Sequence, residues 1–123
     1  MSLDEFAPAY LRLSQDGDVV VVSFTVPQLN EEENIEQLGR ELFALVEQFG
    51  CRKVAVSLLG VDYITSSAIG KLITLHRKLH RNNGRLVLCD VTGEVENVLR
   101  TSKLLSYFNV AESAAEARRM LAS

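Results

Sequence analysis

Short runs of apolar residues, each bounded by turn-forming residues, predict the strands of this chain. The segment YLRLSQDGDVVVVSF holds two such runs around Asp16-Gly17, a pair typical of a hairpin turn because glycine accepts a positive φ angle. Val19 to Phe24 is apolar enough for a buried strand, which Pro27 ends. The runs KVAVSLLG and RLVLCDV predict further buried strands, and LLSYFNV predicts a last short strand from Tyr107 to Val110.

Apolar residues at three- and four-residue spacing predict helices between these strands. The first helix lies in NEEENIEQLGRELFALVEQFG, where Asn30 is a candidate N-cap and Gly50 a C-terminal stop. Gly39 inside it costs about 1 kcal/mol relative to alanine. A second helix begins near Thr65 or Ser66 and ends at NNG. Its apolar stripe is Ala68, Leu72, Leu75 and Leu79.

The order of these elements predicts the fold class. Thr92 opens a further short helix and AESAAEARRML forms a terminal one, which gives the order β-β-α-β-α-β-α-β-α. Such alternation is typical of an α/β fold with a mixed sheet of about four to five strands, parallel over much of its width, covered by about four helices. We expect one domain over residues 1–123, with residues 1–9 as a loose N-terminal segment.

Composition narrows the function classes. The 123 residues are 47% hydrophobic and carry a formal net charge of −3, which disfavours nucleic-acid binding. Cys51 and Cys89 are too few and too isolated for a metal motif or a disulfide framework. The N-terminus lacks the features of a signal peptide, and no apolar run is long enough to span a membrane. We therefore expect a cytoplasmic protein that binds neither membrane nor metal.

The chain offers no obvious catalytic constellation. His76 and His80 are four residues apart on one helix, but HRKLH surrounds them with cations that repel a metal ion. Ser66 lacks the G-x-S-x-G elbow, and His76 lies about 15 Å further along the helix, out of hydrogen-bond reach. Gly70-Lys71 lacks the rest of a phosphate-binding loop. We expect neither an enzyme nor a cofactor.

Three consecutive hydroxyl residues, Thr65-Ser66-Ser67, are the most unusual local feature. They follow a buried strand and begin a helix, so they lie at the carboxyl edge of the sheet, where α/β proteins form sites. Capping of the helix explains them by pattern alone. Phosphorylation also fits, because free N–H groups and the helix dipole favour an anion at this position. Both interpretations remain open on these grounds.

The segment from VAVSLLGVDYITSSAIGKL to VENVLRTSKLLSYFNV and the Ala-rich helix after it resembles the STAS domain of bacterial anti-sigma factor antagonists. The likeness extends from about Val19 onward. The family pattern places Asp-Ser-Ser/Thr-Gly-Leu-Gly at the helix start, where this chain has Thr65 to Gly70. The resemblance implies a STAS-like fold in which Gly70 lets the helix pack close to the sheet.

The resemblance also implies a function. It makes Ser66 the phosphoacceptor, with Ser67 and Thr65 as less favoured acceptors. The implied partners are an anti-sigma factor with serine kinase activity, which the unphosphorylated protein binds to release a sigma factor, and a phosphatase. The implied partner-binding residues are Asp62, Tyr63, Thr65, Ser66, Ser67 and Ala68.

Two departures from the pattern support an alternative. Thr65 stands where the family has Asp, and Ala68 replaces the first Gly. Asp62 lies close enough to supply a carboxylate from a different place. The alternative is a STAS scaffold or interaction module in a larger bacterial signalling assembly, without phosphorylation.

Overall fold

The predicted strands pair side by side in the computed structural model of the chain, which describes residues 3–29 and 32–122. In chain order the strands are β1 (Leu11–Asp16), β2 (Val19–Phe24), β3 (Gln28–Leu29), β4 (Lys53–Ser57), β5 (Tyr63–Ile64), β6 (Arg85–Cys89) and β7 (Asn109–Ala111). The α-helices of the described residues are α1 (Glu32–Glu47), α2 (Ser66–Arg81), α3 (Gly93–Thr101) and α4 (Ala114–Ala122), and a short 3₁₀ helix spans Leu3–Glu5.

Five strands form the main sheet in the order β1-β2-β4-β6-β7. The β1–β2 pair is antiparallel and turns at Gly17, whose φ of +63° fits the predicted hairpin. The pairs β2–β4, β4–β6 and β6–β7 are parallel. The predicted α/β class, mixed sheet and number of helices are confirmed.

Side chains of the central strands alternate between two apolar layers, as the twofold period of a strand requires. On one face, Val54, Val56, Leu86 and Leu88 pack with the buried stripes of α1, α2 and α3. On the other face, smaller residues such as Ala55 and Val87 pack with Ala117 and Leu121 of α4. Both faces are covered, which explains why KVAVS and RLVLC read as almost continuous apolar runs.

A second, two-stranded sheet was not predicted. β3 and β5 pair in parallel, with Gln28 opposite Tyr63 and Leu29 opposite Ile64. Two residues are too few to show a period, so the pattern gave no signal for them. The last strand also differs: it covers Asn109–Ala111, and Tyr107 lies in the turn before it.

Residues 3–9 are attached to the helical layer, contrary to the expectation of a loose segment. The Phe6 ring stacks on Phe49 with centroids 4.9 Å apart. The backbone N–H groups of Ala9 and Tyr10 donate to the buried carboxylate of Glu41 at 2.8 and 2.9 Å. The predicted N-cap of α1, Asn30, lies outside the described residues.

Two glycines have roles other than those predicted. A Cβ atom on Gly39 would lie 2.7 Å from Cδ of Lys71, so this glycine lets α1 and α2 approach each other closely. A Cβ atom on Gly70 would meet no heavy atom within 4 Å. The explanation that Gly70 lets the helix pack close to the sheet is therefore wrong, because its α-carbon faces open space.

Candidate functional site

The hydroxyl cluster lies beyond the carboxyl end of the central strand β4, as predicted. The chain leaves β4 at Ser57, turns at Gly60, whose φ is +81°, and enters α2 through β5. The N–H of Asp62 donates to the carbonyl of Pro27 at 2.7 Å, and the N–H of Thr65 donates to that of Leu29 at 3.1 Å. The short β3–β5 sheet thus fixes the start of α2 against the segment that precedes α1.

Thr65 is the N-cap of α2, so one of the three hydroxyl residues does cap the helix. Its backbone is extended, with φ −93° and ψ 167°, and its Oγ1 accepts a hydrogen bond from the N–H of Ala68 at 3.4 Å. The same hydroxyl donates to the carbonyl of Leu29 at 3.2 Å. Because Thr65 supplies the cap, the hydroxyls of Ser66 and Ser67 are not needed for it.

Ser66 and Ser67 are both exposed in the first turn of α2. Within the described residues, their backbone N–H groups have no hydrogen-bond acceptor. The first turn also contains no acidic residue, so no side chain of this turn offsets the positive end of the helix dipole. The geometry therefore provides an exposed hydroxyl beside a favourable environment for an anion.

The predicted partner-binding residues divide into two groups. Asp62, Tyr63, Ser66 and Ser67 are exposed, and Thr65 is half-buried. Ala68 is only 1% exposed and belongs to the apolar core beneath α2, so its assignment as a partner-binding residue is wrong. The apolar stripe of α2, which also includes Ala68, predicted its burial correctly, whereas the resemblance to the family motif did not.

Leu59 lies in the same β4–β5 connection as Asp62, and its exposure was not predicted from the sequence. It is 72% exposed, the highest value among the large apolar residues that the structure describes as exposed, and Tyr63 follows with 45%. We call the five residues Leu59, Asp62, Tyr63, Ser66 and Ser67 the Ser66 surface. Leu59 is the last apolar residue of the run KVAVSLLG, which predicts a buried strand, so the pattern gave no indication that Leu59 is exposed.

A polar contact beneath this surface holds the loop that carries Leu59. Ser57 Oγ donates to Asp90 Oδ2 at 2.7 Å and accepts from the N–H of Leu59 at 3.3 Å. Asp90 follows β6 with a φ of +57°. Burial raises the pKa of the neighbouring Cys89 thiol to about 12, and the charge of Asp90 adds to this effect. Cys89 therefore remains an unreactive thiol in the core.

The two histidines do not join the Ser66 surface. His76 is half-buried and its ring meets Tyr107 and Phe108 edge to face, with centroid distances of 5.1 and 5.7 Å. Burial lowers the pKa of His76, and the proximity of His80 lowers it further. Among the described residues, no group of three or more His, Cys, Asp or Glu side chains could hold a metal ion.

This arrangement of a mixed sheet, a capped central helix and an exposed Ser-Ser pair agrees with a family match. The model of the STAS domain family matches residues 10–117. The chain belongs to the STAS domain family. A Bordetella bronchiseptica STAS relative, the candidate anti-sigma factor antagonist BtrV, is 39% identical over 80 residues, which are 65% of this chain and 68% of BtrV.

Solved structures show the same STAS fold. An anti-sigma factor antagonist domain protein from Planctomyces limnophilus superposes with a TM-score of 0.80 at 25% identity, covering 94% of this chain and 100% of the other. The Bacillus cell fate determinant SpoIIAA in its phosphorylated form gives a TM-score of 0.68 at 18% identity, covering 89% and 98%. Within residues 3–29 and 32–122, none of the helices combines the length and the apolar character needed to cross a bilayer.

Proposed function

We propose that this chain is an anti-sigma factor antagonist that binds an anti-sigma factor through the Ser66 surface and is switched off by phosphorylation of Ser66. In this proposal the partner is also the serine kinase, and a phosphatase restores the unphosphorylated state. The chain acts by binding, in the cytoplasm, and catalyses no reaction itself. The observation that carries the proposal is that Ser66 is exposed at a helix start whose cap is already supplied by Thr65.

The relatives support the role of antagonist. BtrV bears that description, and phosphorylated SpoIIAA shows that a protein with this fold carries a phosphate. Sequence similarity to the family motif selects Ser66 from the three hydroxyl residues. The structure adds a reason against Thr65, because its hydroxyl makes two hydrogen bonds that a phosphate on that oxygen would disrupt.

The local electrostatics explain how a phosphate could act as a switch. A phosphoserine adds about 1.5 to 2 negative charges at pH 7. At Ser66 these charges meet free N–H groups and the positive end of α2, so the fold tolerates them. A partner seated over Leu59 and Tyr63 would have to bury the phosphate, and burial of an unpaired charge is costly. The modification therefore opposes binding while leaving the protein folded.

Matched variants test this proposal in pull-downs with an anti-sigma factor kinase from the same organism. We expect Ser66→Ala to retain the partner in the presence of ATP and Ser66→Asp to lose it. Ser67→Asp is the control, since it places the same charge one residue away, and we expect a smaller loss. Retention of the partner by Ser66→Asp at the level of Ser66→Ala would contradict the switch.

A STAS scaffold without phosphorylation is the second candidate function. Thr65 in the place of the family Asp favours it, because the first turn then lacks the acidic residue that a kinase could recognise. On this alternative, Ser66→Ala and Ser66→Asp bind the partner equally, and ATP does not change binding of the unmodified protein. Binding of Leu59→Asp would still be weakened, since the surface is the same.

A further inference from the structure

A concave surface of basic character lies at the opposite end of α2 from Ser66. It is lined by His76, Arg77, His80, Arg81 and Tyr107 and has a volume of about 430 Å³. We call it the α2 basic pocket. Arg77 lies eleven residues after Ser66, which corresponds to about 16 Å along the helix axis. The pocket is therefore separate from the Ser66 surface.

The cations of this pocket are not neutralised within the described residues, whereas those on the opposite flank of α2 are. Facing α1, Lys71 pairs with Glu36 at 3.1 Å and Lys78 pairs with Glu47 at 2.8 Å. Arg77 and Arg81 are exposed, and neither forms an ion pair with a described carboxylate. The chain as a whole is acidic, with a net charge of −3, and this pocket places two unpaired guanidinium groups about one helical turn apart beside the exposed Tyr107.

A further feature of the pocket is typical of a surface that contacts another molecule. Tyr107 is 42% exposed although its ring packs against His76. The helix dipole accounts for basic residues in the last turn of α2, but not for an exposed aromatic side chain beside them.

We propose that the α2 basic pocket binds an acidic segment of a protein partner, with carboxylates on Arg77 and Arg81 and an apolar side chain on Tyr107. Guanidinium groups suit carboxylates because they present paired N–H donors in a planar fork. Exposed Tyr and Arg side chains are enriched in protein interfaces, which favours a peptide segment over a free anion. This second surface is independent of phosphorylation at Ser66.

A titration followed by NMR amide shifts tests the proposal on the whole chain. The probe is a capped peptide, Glu-Glu-Phe-Glu-Glu, with Gln-Gln-Phe-Gln-Gln and inorganic phosphate as comparisons. We expect the acidic peptide to shift the amide signals of residues 76–81 and 107 in a saturable way. The glutamine peptide should leave them unchanged, and phosphate should shift them only at much higher concentration.

Charge reversal supplies the matched control. The double variant Arg77→Glu/Arg81→Glu should weaken peptide binding about tenfold or more, as expected when close charge pairs are lost. Arg12→Glu/Arg119→Glu reverses two exposed charges on β1 and α4, and should bind like the parent. Unchanged binding by the first double variant would overturn the proposal, as would equal shifts with the glutamine peptide or stronger binding of phosphate alone.

The same variants separate this proposal from the proposed function. If Arg77→Glu/Arg81→Glu loses the acidic peptide while Ser66 is still phosphorylated, the pocket stands as a second surface. If the peptide shifts only residues of the Ser66 surface, the pocket proposal fails and the switch at Ser66 is unaffected. Dispersed amide spectra of both double variants confirm that they are folded.

Discussion

The two ends of α2 differ in the groups that they expose for contact with negative charge. At the first turn, Ser66 and Ser67 are neutral and exposed, and no acidic residue accompanies the free N–H groups. At the last turns, Arg77 and Arg81 are cations that no described carboxylate pairs with. The difference indicates that both ends attract negative charge, the first through backbone groups and the second through side chains. The two proposals rest on this difference: a covalent phosphate on Ser66 at the first end, and an acidic partner segment on Arg77 and Arg81 at the second.

The largest expected effect is a loss of folding stability when a buried side chain in the middle of α2, between the two ends, is truncated. Leu75 is fully buried midway between them, and Leu75→Ala should lower the free energy of unfolding by about 2–5 kcal/mol. Urea denaturation measures the loss. Because both surfaces depend on the same helix, the variant should bind less at each end. A loss confined to one end would contradict the view that α2 positions both.

Two glycines at the ends of α2 should respond in opposite directions to alanine. A Cβ atom on Gly84 would lie 2.5 Å from the backbone carbonyl oxygen of Arg52, which cannot move freely, so Gly84→Ala should cost about 1–3 kcal/mol. Gly70→Ala meets no neighbour and should stabilise the helix by up to about 1 kcal/mol. Thermal unfolding of the pair measures both changes. Equal destabilisation by the two variants would show that Gly70 is packed after all.

The cap at the first turn should have a moderate effect. Thr65→Val keeps the shape of the side chain but removes the hydroxyl, and should cost about 1 kcal/mol in urea denaturation. Thr65→Asp keeps an acceptor for the Ala68 N–H and adds a charge that suits the dipole, so it should be at least as stable as the parent. Ser67→Ala, which alters no cap, is the control. A stable Thr65→Val protein would contradict the cap assignment.

The smallest expected effect is the pH dependence of stability that His76 contributes near the C-terminal end of α2. The pKa of His76 is lowered by burial and by His80, so the unfolded chain takes up a proton at a pH where the folded chain does not. The contribution of His76 is complete above about pH 6.5, the ordinary value for histidine, and is lost as the pH falls below it through the native pKa. We expect His76→Phe to lose less stability than the parent between pH 7.5 and 5.5. Equal losses in the two proteins would contradict this account.

The hydroxyl residues and the cap at the N-terminal end of α2 could be predicted from the sequence. The α2 basic pocket near its C-terminal end could not. The hydroxyl run, the cap and the apolar stripe are local, so a pattern of a few residues contains them. The α2 basic pocket depends on Tyr107, which lies 31 residues after His76 and reaches it only because β6, α3 and the turn before β7 bring it back. The same limit explains why the pairing of Gln28 with Tyr63 and the exposure of Leu59 were missed.

For Ala68 and Gly70, the sequence predicted roles that the structure does not support. The motif assigned both to functional or packing roles by similarity, whereas burial places Ala68 in the core and leaves Gly70 facing open space. Membership in the STAS family fixes the order of elements more securely than the environment of each motif residue. Roles carried over by similarity therefore need the burial of the individual side chain as a check.

The most direct test of the account is the position of the phosphate. The protein is incubated with ATP and an anti-sigma factor kinase from its own organism, and the modified residue is identified by peptide mass spectrometry. We predict a single phosphate on Ser66, absent from Ser66→Ala and present in Ser67→Ala. A phosphate on Ser67 or Thr65, or an unmodified protein with an active kinase, would contradict the claim that the exposed hydroxyl at the capped start of α2 is the switch.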